Sequence, residues 1–140
     1  MEKILIIGQA PPAVKQKIPY DTTLLYEMLS WINISKEKAQ ELFEFEAMSD
    51  KFPGYGVSGH LTPSTESVMH HWNSVLKQKV ENADKIILLG KFACDWFYHL
   101  NQNSKDKKVI NLVHPSKRNT GIIMRTKAQI THQLQSLHIH

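Results

Sequence analysis

Short continuous runs of aliphatic residues alternate along this chain with longer stretches in which apolar positions recur every three or four residues. Lys3 to Gly8, Lys85 to Gly90 and Val109 to Val113 are of the first kind, the pattern of strands buried on both faces. The second kind predicts helices. Leu24, Leu25, Met28, Leu29 and Ile32 mark one over Asp21 to Asn33, with Asp21 or Thr22 placed to cap it. Ser35 to Leu42 reads as a short helix leading into a strand over Phe43 to Met48. Thr62-Pro63 reads as an N-cap followed by a first-turn proline, opening a helix with Val68, Met69, Trp72, Val75, Leu76 and Val80 on its inner face. Phe92 to Leu100 forms another, and Ile123, Ile130, Leu134 and Leu137 mark a last amphipathic helix. Between them Ser49 to Leu61 holds three glycines and a proline without periodicity, which predicts a long loop of the sort that often carries function.

Strands and helices in this alternation imply an α/β three-layer sandwich: a mainly parallel sheet of about four strands in the order 2-1-3-4, helices on both faces, and right-handed crossovers. Ligands in such sheets bind beyond the carboxyl ends of the strands. Two loops rich in unusual residues leave those ends, Gly8 to Tyr20 and His114 to Gly121. They form the expected site. At 140 residues the chain has the size of one domain, so a single domain over residues 1 to 140 is expected. The apolar runs fall far short of the roughly 20 residues a spanning helix needs, and a cytoplasmic monomer is the corresponding expectation.

Composition changes this picture in two places. Hydrophobic residues are 41% and charged residues 21% of the chain, ordinary for a globular protein. Cys94 is the single cysteine, so neither an internal disulfide nor a thiolate metal or iron-sulfur site is expected, and no cofactor. Charge is unevenly spread. Residues 1 to 104 hold 10 Lys/Arg against 12 Asp/Glu, whereas residues 105 to 140 hold 7 against 1. The resulting net charges, −2 and +6, point to an anionic partner on the C-terminal side, with nucleic acid the leading candidate and a solvated basic helix the plain alternative.

Gly8-Gln9-Ala10-Pro11-Pro12 after the first strand and His114-Pro115-Ser116 after the last together resemble the two signature motifs of the uracil-DNA glycosylase superfamily. Phe52-Pro53-Gly54, then Leu61-Thr62-Pro63-Ser64-Thr65-Glu66, then Ile86-Ile87-Leu88-Leu89-Gly90 are similar to segments of its thermostable iron-sulfur branch. The resemblance spans most of residues 3 to 119. All four cluster cysteines of that branch are missing, so no cluster carries over.

The resemblance implies a glycosylase that flips a deaminated base, uracil or a related one, out of DNA and hydrolyses its bond to the sugar. The alternative it leaves open is a catalytically silent relative that binds nucleic acid or a free base. Gly8, Gln9, Ala10 and Pro11 would line the base pocket, with Tyr20 stacking on the base. His114 would stabilise charge on the departing base. The familiar water-positioning aspartate of the first motif is replaced by Ala10, which leaves Asp21 as the candidate, against a plain helix-capping role. An asparagine usually reads the base edge from the second strand; Glu44 and Glu46 stand nearest by register, and Glu46 is taken as the base-binding residue. A carboxylate there accepts hydrogen bonds but repels carbonyls. Ser64, Thr65 and Ser116 would contact phosphates, and Lys117, Arg118 and Asn119 occupy the place of the wedge inserted into the duplex.

Overall fold

The computed structural model describes residues 4–10, 22–56, 59–101 and 107–139. Its centre is a four-stranded sheet of β1 (Ile4–Gly8), β2 (Phe43–Ala47), β5 (Lys85–Leu89) and β6 (Lys108–Leu112), in the spatial order β2-β1-β5-β6. Counting these four alone, the order is 2-1-3-4. Every neighbouring pair is parallel, with Gly8 opposite Ala47, Ile4 opposite Lys85 and Leu89 opposite Leu112. β1 and β5 are buried along their whole length, which is why they carry no polar alternation.

Helices cover both faces. On one, α1 (Thr23–Ser30), α2 (Lys36–Leu42), α6 (Thr120–Arg125) and α7 (Lys127–Gln135) pack Leu25, Met28, Leu29, Ala39, Ile123, Ile130 and Leu134 against Ile4, Ile6, Ile87 and Leu89. On the other, α3 (Thr65–His71), α4 (Lys77–Asn82) and α5 (Lys91–Leu100) bring Val68, Val80, Ala93 and Phe97 onto Leu5, Ile7, Ile86 and Leu88. Successive strand residues therefore feed opposite cores.

Three sequence expectations shift. The helix expected from Thr62-Pro63 begins at Thr65, because Ser64 supplies the cap: its Oγ accepts from the Ser67 amide at 3.1 Å. The loop expected over Ser49 to Leu61 contains a small antiparallel ribbon, β3 (Tyr55–Gly56) and β4 (Gly59–His60). The last helix is two, α6 and α7, meeting at Thr126.

Between α3 and α4 the helix widens into a π turn, Trp72–Leu76. In an unbroken α-helix residues 71 and 79 would lie about 80° apart around the axis. A π turn absorbs roughly one extra residue, so the two behave as if seven apart, only about 20° from alignment. His71 and Lys79 thus come to one face, opposite β2.

Candidate active site

β1 ends at Gly8, whose carbonyl accepts from the Met48 amide at 2.9 Å. That bond ties the start of the first-motif loop to the end of β2. Gly8 is buried, while Gln9 and Ala10 are half-buried at the carboxyl edge of the sheet. Pro11, Tyr20 and Asp21, expected to line the pocket, stack on the base and position water, lie outside the described residues.

The second loop leaves the same edge two strands away. His114 follows β6 by two residues and is half-buried. Its carbonyl accepts from the Ser116 amide and from Asn119 Nδ2, both at 2.8 Å, and the Asn119 amide donates to the Ser116 carbonyl at 2.9 Å. Pro115 is buried beneath the turn. Asn119, expected in the wedge, therefore has its amide group turned inward to close the loop on His114. Arg118 is exposed and Ser116 half-buried; for Lys117 only the backbone, the start of a 3-10 turn over Lys117–Asn119, is described.

Gly90, between β5 and α5, makes room for the histidine. Its amide donates to the Leu112 carbonyl at 2.8 Å, and its backbone lies at φ 88° and ψ 166°, a region essentially reserved for glycine. A Cβ on Gly90 would come within 3.1 Å of His114 Cβ.

Burial lowers the His114 pKa, and the Arg118 guanidinium lowers it further. The imidazole is therefore neutral at pH 7 and carries one N–H to donate. We expect its Cε1 proton to titrate below the ordinary value of about 6.5 when followed by NMR. In Arg118→Ala the midpoint should rise only part of the way, since burial, the larger cause, remains. Stability linked to this group should be present above about pH 6.5 and lost as the pH falls through the lowered midpoint; a midpoint at or above 6.5 contradicts the assignment.

At the end of β2, Glu46 stands opposite Ile7, one position before Gly8. Its Oε1 meets His71 Nε2 at 3.0 Å and its Oε2 meets Lys79 Nζ at 2.5 Å. Lys79 also reaches Glu44 Oε1 at 2.7 Å. The Ala47 amide lies 3.4 Å from Oε1, a long contact. Burial alone would raise the Glu46 pKa, but the hydrogen bonds and charge of His71 and Lys79 outweigh it and hold the carboxyl below its ordinary value. Because a carboxylate only accepts, His71 Nε2 carries the shared proton. His71 is 6% exposed, and its Nδ1 is buried with no hydrogen-bond partner among the described residues. Reading along the chain finds Glu46 but not its partners, which lie 25 and 33 positions later and are aligned only by the π turn.

Ser64 and Thr65 sit exposed at the start of α3. Since Ser64 Oγ accepts from Ser67, its hydroxyl hydrogen is left to donate outward, as a phosphate contact requires. Below it Ser49 and Ser67 share a hydrogen bond of 2.6 Å.

Both motif loops thus meet one edge of a parallel sheet of order 2-1-3-4, and a model of the uracil DNA glycosylase superfamily matches residues 1–138. The chain belongs to that superfamily. It is a superfamily of DNA repair enzymes, and the characteristic partner of its members is DNA. No curated protein matches the sequence. Among the described residues no group of three or more His, Cys, Asp or Glu could hold a metal ion, and no helix is long and apolar enough to cross a membrane.

Proposed function

We propose that this member of the superfamily is a DNA glycosylase that removes a deaminated base by hydrolysing its N-glycosidic bond, without metal or cofactor. The observation that carries the proposal is His114: a half-buried imidazole kept neutral, in a loop closed by Asn119 and Ser116, at the same sheet edge as Gly8 and Ala10. As the bond from the sugar C1′ to the base nitrogen breaks, the electron pair leaves with the base. The His114 N–H stabilises that charge where it develops. Water then bonds to C1′, its proton passing to a nearby acceptor. Tyr20 stacks on the flipped base and Asp21 positions the water in this reading. Ser64, Thr65 and Ser116 pin phosphates, and Lys117 and Arg118 enter the gap left in the duplex.

Ala10 favours a second reading, a silent relative that binds DNA without cutting it, because it removes a carboxylate from the loop nearest the water. Oligonucleotides carrying uracil, hypoxanthine or xanthine separate the two. Abasic product, revealed by alkaline strand cleavage, supports the glycosylase; tight binding with no product supports the silent relative.

DNA binding has its own test. Replacing both Lys117 and Arg118 by Ala should weaken duplex affinity and reduce the slope of log K against log salt by about 2, roughly one counterion per lost phosphate contact. A slope unchanged in titrations at several salt concentrations would place the DNA face elsewhere.

A further inference from the structure

The carboxylate at the end of β2 carries information about the base itself, and the inference that follows rests on the base-pocket reading above. We propose that Glu46 selects the base, and that it selects an edge offering an N–H donor beside a single carbonyl, the 6-oxopurine edge of hypoxanthine, over the two-carbonyl edge of uracil.

Placement comes first. Glu46 precedes the last residue of β2 and lies level with Ile7, at the strand end where Gly8 begins the first-motif loop. Its side chain is 17% exposed, mostly buried but not closed off from solvent. Chemistry comes second. Lys79 and His71 hold the group ionised and fix its direction, so it offers only acceptors. Oε2 receives one strong hydrogen bond, from Lys79, and keeps a lone pair for a further donor.

A base brought to this wall must answer an acceptor with a donor. Hypoxanthine has N1–H beside one carbonyl, with C2–H on the other side. Uracil places N3–H between two carbonyls, and xanthine places N1–H likewise, so each turns an additional oxygen towards a fixed negative charge. Edge matching of this kind discriminates between bases by about tenfold or more.

The test uses single-stranded oligonucleotides identical except for one central hypoxanthine, uracil or xanthine. Equilibrium binding and single-turnover excision are measured on each. The wild type should favour hypoxanthine over uracil and xanthine by about tenfold or more. In Glu46→Gln the amide NH2 can donate to a carbonyl, so the preference should collapse or invert towards uracil. A purely structural ion pair would lower the melting temperature of the variant and leave the ratio between bases where it was. Should Glu46→Gln not fold, the wild-type ranking decides alone.

Wild-type preference for uracil, or equal treatment of all three bases, overturns the inference while excision of any of them leaves the glycosylase reading standing. Binding that ranks hypoxanthine first with no excision supports the inference and removes the glycosylase reading. An unchanged base ratio in a folded Glu46→Gln protein overturns it as well.

Discussion

His114→Ala is expected to lower the single-turnover rate of base excision by about 100-fold or more, the scale on which one charge-stabilising donor contributes. Affinity for the same oligonucleotide should change little, because the bond to the departing base strengthens as charge develops and is weak before it. The fold should survive. The loop is closed through the His114 carbonyl, which accepts from Asn119 and Ser116, and alanine keeps that carbonyl. Thermal melts alongside the kinetics separate lost chemistry from lost structure. An active wild type whose rate is untouched by the substitution refutes the role given to His114.

Gly90→Ala should be nearly as damaging, by another route. At φ 88° and ψ 166° an alanine is strained by about 1–3 kcal/mol, and its methyl would meet His114 Cβ at 3.1 Å. Relief of the contact moves the His114 side by a few tenths of an ångström, and relief of the backbone strain moves the Gly90 turn against it; misplacing a reacting group is costly, about 100-fold in rate for about 1 Å. The expected result is a lower melting temperature together with a large fall in single-turnover excision. Gly121→Ala is the matched control. It lies inside α6, and an added Cβ meets nothing within 4 Å, so it should be neutral or stabilise by up to about 1 kcal/mol. Equal damage from both substitutions would show that the Gly90 effect is not one of space around His114.

The sheet was legible in the sequence because its inner strands are buried on both faces, and uninterrupted runs such as Ile4 to Ile7 and Ile86 to Leu89 have few other uses in a chain of this size. Helix existence was legible for a related reason: residues such as Leu25, Met28 and Leu29 reach the core only at helical spacing. Boundaries were less so. Thr62 and Ser64 are both good caps, and only the hydrogen bond from the Ser67 amide shows which serves. Gly56 and Gly59 hid a two-residue ribbon that local pattern is too short to reveal. In the site, the two motif loops could be read from their positions after strands. The setting of Glu46 could not, since His71 and Lys79 reach it through a helix that departs from the regular period at Trp72–Leu76. Asn119 read as part of an exposed basic loop, yet its side chain is spent on the His114 carbonyl.

The position of β1 in the sheet sets an order of events for folding. It occupies an inner place, yet its partners lie far along the chain: Ile4 faces Phe43 on one side and Lys85 on the other, 39 and 81 positions away. Closing such distances costs chain entropy before any contact rewards it, which is the usual reason parallel sheets fold slowly, on the scale of about milliseconds to seconds. During synthesis β1 can pair with β2 early, but its second edge stays open, with four aliphatic side chains, until residues 85–89 have left the ribosome. β6 can add only to β5. The loop bearing His114 and the helices α6 and α7, which supply Ile123, Ile130 and Leu134 to one face of the core, all follow β6 in the chain, so the reactive edge and that face of the core are completed together.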